Sequence, residues 1–232
     1  MTTAQEIIDD SFIEIGVLPA GDSLHADDLA WGTRKLNALL KTLSAEGLNI
    51  PYKVEESFSM VIGTPDYTIG SGGTFNTARP ISIQKAFIRD SNDHDHHVSI
   101  RPMDEYHDIS EKDTLDRPQW LYYDHTFPLG TIHLYYTPND TESLHIISFK
   151  PFTNYTNLTL TVELPGEYEE MLVSNLAIRL GSRYGKRLSA ELKDRAKETL
   201  VDIKGNNLAR TMTGKQIDIP GQYNRSYNIE EG

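Results

Sequence analysis

The densest group of side chains able to do chemistry is the run Asp93-His94-Asp95-His96-His97. On a strand, His94 and His96 would share one face and Asp95 and His97 the other, offering two ligands where a structural zinc needs four. No second pair of ligands stands at a completing distance, and the run sits where a hairpin turn belongs, so it reads as a solvated turn and no metal is expected. The glycine-rich stretch from Thr68 to Gly73 lacks the Lys-Ser/Thr step of a phosphate-binding Walker loop and leads through Phe75 to Pro80 into a strand. It reads as a hairpin or bulge rather than a nucleotide cradle. Glu55/Glu56 and Glu169/Glu170 are paired carboxylates, but glycoside hydrolysis needs two carboxyls about 5–10 Å apart across a cleft, which adjacency in sequence does not supply. Seven of the eight histidines lie between His94 and His145, yet no nucleophile-elbow pattern marks a serine. The absence of cysteine excludes thiolate metal sites, disulfides and cysteine nucleophiles. No catalytic residue and no cofactor are expected.

Charge is the stronger signal. The 232-residue chain carries 34 acidic and 22 basic residues, a net charge of −12. Residues 1–33 hold seven carboxylates and no Lys or Arg, whereas residues 179–215 hold ten basic residues against four acidic ones, a net +6. Either the two ends neutralise each other within one subunit, or the acidic face of one copy meets the basic face of the next in a heterologous, ring-forming contact. For the second case Asp9, Asp10, Asp27, Asp28, Arg179, Arg183 and Arg195 are the candidate interface charges. The overall acidity argues against a groove that grips phosphates along its length. Without a visible signal peptide or an apolar run of membrane-spanning length, the chain is expected to be intracellular or particle-bound, with no membrane partner.

These groups must be positioned by elements of two periods. Thr3-Ala4-Gln5-Glu6 is a capping box opening a helix that ends at Gly16. A second helix begins between Ser23 and Ala26, lines up Leu29, Leu36, Leu39, Leu40 and Leu43, and stops at Gly47. From 52 to 164 the period becomes alternating, predicting strands over 54–62, 67–69, 81–89, 98–101, 120–123, 132–136, 144–149 and 158–162, with a short helix over 102–109. Two tyrosine-rich strands, Leu121-Tyr122-Tyr123 and Leu134-Tyr135-Tyr136, offer a sugar- or protein-binding platform or a half-buried sheet face. Helix returns over 165–185 and 189–204. The expected fold class is α+β. Residues 1–50 and 165–205 form a discontinuous four-helix bundle, residues 51–164 an inserted antiparallel β module, and residues 206–232 an extended C-terminal tail. That tail lacks a sustained period and reads either as disordered or, through Ile217, Ile219, Tyr223 and Tyr227, as an extended segment that orders on a partner.

The order of features resembles a known family. Ile15-Gly16-Val17-Leu18, Leu36-Asn37-Ala38-Leu39-Leu40, Gly47-Leu48-Asn49-Ile50, the run Asp66 to Gly70 continued through Gly72 to Pro80, and Leu164-Pro165-Gly166-Glu167-Tyr168 are similar to the head-to-tail adaptors of short-tailed bacteriophages. These are also called tail accessory factors or packaged-DNA stabilisation proteins. The resemblance implies a virion neck protein, made in the host cytoplasm. It would dock on the portal protein, assemble as a dodecameric ring, and extend the channel for double-stranded DNA toward a nozzle or tube protein, without sequence-specific DNA binding. It also implies that the helical bundle forms the ring and the C-terminal segment reaches the portal. Smaller members of that family are nearly all helical, whereas this chain inserts over a hundred residues of β structure. The competing expectation is a cell-wall glycoside hydrolase or carbohydrate-binding module using the β region.

Overall fold

Alternation of buried and exposed residues organises the middle of the chain, and helical periodicity its two ends. The computed structural model describes residues 2–19, 21–48, 53–152, 154–162 and 164–212. Helices α1 (Ala4–Glu14) and α2 (Ala26–Ala45) precede β1 (Lys53–Ser59), β2 (Asp66–Gly70), β3 (Phe75–Asn76), β4 (Ser82–Arg89) and β5 (Asp95–Ile100). Helix α3 (Met103–His107), β6 (Trp120–Asp124), β7 (Gly130–Tyr135), β8 (Ser143–Phe149), α4 (Glu169–Gly181) and α5 (Ala190–Met212) follow.

The eight strands form one mixed sheet in the order β1-β8-β4-β5-β6-β7-β2-β3. Hairpin neighbours are antiparallel, but β5 pairs with β6 and β2 with β3 in parallel. Between β5 and β6 the chain runs through α3 and a long connection, so it enters β6 in the direction in which it left β5. The sheet curls into a nearly closed, barrel-like shape. Its two edge strands meet through side chains: Phe58 of β1 stacks on Phe75 of β3 at 4.4 Å, and Phe75 stacks on Tyr67 at 4.6 Å. Below them Thr77 donates a hydrogen bond to Glu56, which is also paired with Lys150 at 2.5 Å. Inside lie Ile69, Ile88, Val98, Leu121, Ile132, Leu134, Leu144 and Ile146, all fully buried. Gly130 makes room for the Tyr123 ring, whose hydroxyl donates to the Pro80 carbonyl at 2.8 Å.

Several expectations are corrected here. The architecture is an eight-stranded mixed sheet with five helices among the described residues, neither a four-helix bundle nor an antiparallel module. Four helices do not share one core equally: α1, α2 and α5 each lean on α4, while α5 makes little backbone contact with α1 or α2. Part of the core is supplied instead by Phe152, Tyr155 and Val162 from a segment outside any helix. The expected strand over 158–162 is reduced to a single bridge, Thr3 to Thr161. Helix α5 also continues through Gly205 to Met212, beyond the expected stop, since a glycine weakens a helix without ending it.

The helix boundaries have local causes. Thr3 and Glu6 complete the capping box at α1, with the Thr3 amide donating to Glu6 at 2.7 Å and the Glu6 amide to the Thr3 hydroxyl at 3.2 Å. Gly16 and Gly47 follow α1 and α2 at φ of 64° and 76°, the left-handed conformation that glycine adopts without a Cβ penalty. At Gly32 the α1–α2 approach is so close that a Cβ would lie 2.5 Å from Ile8 Cγ2.

Candidate functional site

Most of the side chains singled out for metal or acid–base chemistry are already engaged. Asp93 sits in the turn at φ 61°, while Asp95, His96 and His97 belong to β5, so the histidine run is half turn and half strand. Asp95 accepts two hydrogen bonds from Arg89, at 2.7 and 2.9 Å. His96 Nε2 lies 2.9 Å from Asp90 Oδ2, and His96 Nδ1 faces the Arg117 guanidinium at 3.4 Å. A guanidinium only donates, so Nδ1 must accept and Nε2 carries the proton. Arg117 in turn grips Glu142, 8% exposed, with contacts at 2.5, 2.9 and 3.2 Å. The result is a four-residue chain, Asp90–His96–Arg117–Glu142, that fastens the β4–β5 turn to the approaches to β6 and β8. His96, together with the backbone N–H groups of His94 and Asn92, holds the Asp90 carboxyl far below the usual carboxylate range. Among the described residues no group of three or more His, Asp or Glu is arranged to hold a metal ion.

The first pair of carboxylates does not form a cleft. Glu55 and Glu56 are adjacent on β1 and therefore point to opposite faces, Glu55 to His145 at 3.2 Å and Glu56 to Lys150. Burial pushes the Lys150 ammonium down, with the Glu56 pair acting against it. Glu169 accepts from the Thr2 hydroxyl at 2.6 Å. The glycine-rich stretch spends its donors internally: the Gly72 amide goes to Asn76 Oδ1 at 2.9 Å, and Gly73 and Thr77 donate to the Gly70 carbonyl. The Tyr67-to-Pro80 run is thus a seam-building element of the barrel. The tyrosine-rich strands split by alternation. Tyr123 points inward, while Tyr122 stacks on His133 on the outer face, half covered by Tyr106 of α3.

What remains is charge on the terminal helices. Part of it is neutralised within the chain, where Arg195 pairs with Glu14 at 2.7 Å and Lys204 with Glu46 at 2.8 Å, and Asp28 accepts a hydrogen bond from the Tyr184 hydroxyl. Burial and Asp28 together push the Tyr184 hydroxyl up to about 12. Asp28 and Arg195 therefore tie the chain to itself. Asp9, Asp10, Asp27, Arg179 and Arg183 make no ion pair among the described residues.

Asp10, Glu14, Glu169 and Glu170, with Ile13 and Val173, line a groove of about 390 Å³ between α1, α4 and α5. The Asp10 carboxyl is pushed up by burial and then by the neighbouring charges of Glu169, Glu6 and Glu14. Asp9 is also pushed up, mainly by burial. On the other flank, Trp31 of α2 carries Lys35, Arg183 and Arg34 around its ring, at 4.5, 4.8 and 5.4 Å from the centroid. Sequence reasoning missed this cluster. The Trp31–Arg34–Lys35 spacing was its readable part, while Arg183 joins only through the packing of α4 on α2. The tail residues Ile217, Ile219, Tyr223 and Tyr227 lie outside the described residues. No helix among the described residues is long and apolar enough to cross a membrane. In comparisons with known proteins, no family model and no curated protein matches the chain.

Proposed function

We propose that this chain is a non-enzymatic structural adaptor of a bacteriophage neck. It docks on the portal protein, assembles side by side into a ring, and prolongs the channel through which double-stranded DNA passes to the next tail protein. The observation that carries this reading is the unmet charge of both signs on the terminal helices. Asp9, Asp10 and Asp27 meet no cation, and Arg34, Lys35, Arg179 and Arg183 meet no carboxylate, among the described residues. Unpaired charges of both signs on one chain find their complement in another copy, a heterologous contact that makes a ring when its rotation closes. The sequence resemblance to head-to-tail adaptors supports the same assignment. An acidic protein also suits a conduit, because it repels the DNA backbone where a basic wall would hold it by counterion release.

The carbohydrate-cleaving reading has less support, since Glu55 and Glu56 occupy opposite faces of one strand and each is paired. The test is electron microscopy of the purified chain mixed with the portal ring of the same virion. A closed ring beneath the portal is expected, and its formation should weaken as salt rises. Bare portals beside free monomers would overturn the assignment. Deleting residues 213–232 is expected to impair docking, the role proposed for Ile217, Ile219, Tyr223 and Tyr227.

A further inference from the structure

We propose that Trp31 and the three cations arrayed on it form a receptor for side-chain carboxylates of a partner protein. Lys35, Arg183 and Arg34 lie 4.5, 4.8 and 5.4 Å from the centre of the indole. Each is attracted to the ring face by its quadrupole, and no described carboxylate is paired with any of them. Three like charges held on one ring repel one another, and an incoming anion relieves that repulsion. The platform is preorganised: Trp31 packs against the helical core, and Arg183 lies 5.6 Å from the ring of Tyr184, which is itself tied to Asp28. Tryptophan and arginine together are the side chains most often found at energetic centres of protein interfaces. The planar guanidinium of Arg183 also matches a carboxylate in two-point geometry.

The surroundings favour a protein carboxylate over a nucleic acid. Asp27 and Asp28 stand one helical turn before Trp31 on the same face of α2. A continuous row of phosphates laid across the cations would run onto those acids, whereas one or two discrete carboxylates would not. The chain as a whole, at −12, further disfavours a polyanion.

Indole fluorescence of the full chain gives the readout, with a short all-glutamate peptide, an all-glutamine peptide of the same length and duplex DNA as probes. The glutamate peptide should change the emission saturably, an effect lost in Trp31→Phe and weakened about fivefold in Arg183→Gln, whose side chain is exposed. Far-UV circular dichroism of both variants confirms that they fold. A glutamine peptide that binds equally well, an Arg183→Gln chain that binds as tightly as the parent, or duplex DNA that outcompetes the glutamate peptide would each overturn the inference. The measurement uses the free chain, so its failure leaves ring formation on a portal to be judged by the microscopy.

Discussion

Replacing Arg117 with methionine isolates a buried charge of the barrel, Glu142. Glu142 is 8% exposed and accepts from Nη2 and Nε of Arg117, the shortest contact being 2.5 Å. Removing one partner of a fully buried pair costs about 3–5 kcal/mol, because the other charge is left without compensation. The Arg117 side chain is 37% exposed, so water offsets part of this, and about 2 kcal/mol is expected. For a chain of this size that is roughly 4–8 °C in the thermal midpoint. The assay is thermal and urea denaturation followed by circular dichroism near neutral pH. The double variant Arg117→Met/Glu142→Leu should recover most of the loss, since it removes the stranded carboxylate as well as its partner. A single variant within about 0.5 kcal/mol of the parent, or a double variant worse than the single, would refute the reasoning.

Gly130→Ala places a Cβ 2.5 Å from Tyr123 Cε2 and 2.6 Å from its hydroxyl oxygen, and overpacking should cost about 1–3 kcal/mol by urea denaturation. Adding Tyr123→Leu should relieve part of that cost. Asp10→Asn should raise the thermal midpoint at pH 7, because burial and Glu169, Glu6 and Glu14 push the Asp10 carboxyl up and the folded chain resists its ionisation. The gain should shrink as the pH falls through the raised native value and vanish below the ordinary aspartate value of about 4, where both states are protonated. The sign is opposite at Asp90, held far down by His96: its contribution is present above about pH 4 and is lost on further acidification, a loss that Asp90→Asn should remove from the acid limb of the stability profile. Asp28→Asn should return the Tyr184 hydroxyl from about 12 toward the ordinary tyrosine value near 10, read by ultraviolet absorbance during alkaline titration.

Local patterns carried most of the elements. The capping box at Thr3, the leucine row of α2 and the alternation of β8 each describe a single segment, and each appears in the structure. Sheet order and closure are long-range. Nothing near Phe58 announces that it will stack on Phe75, and the parallel entry into β6 depends on the path taken after Ile100. The bundle expectation failed for the same reason: amphipathic periodicity shows that a helix has a face to bury but not what covers it, and Phe152 and Tyr155 took part of that space. The candidate sites divide likewise. Acidic and basic excess was countable along the chain, whereas the use of Arg195 and Asp28 in internal ties and the meeting of Arg183 with Trp31 required the packed helices.

The phenylalanine stack between β1 and β3 bears on how the protein behaves in a crowd of its own copies. Exposed strand margins invite pairing with foreign backbone, and a sheet held open would present two of them. Here aromatic rings and the Glu56–Thr77–Lys150 contacts draw the margins against each other, so a second sheet would have to prise the cuff apart before adding a strand. The closed seam thereby leaves the β region a poor template for strand addition.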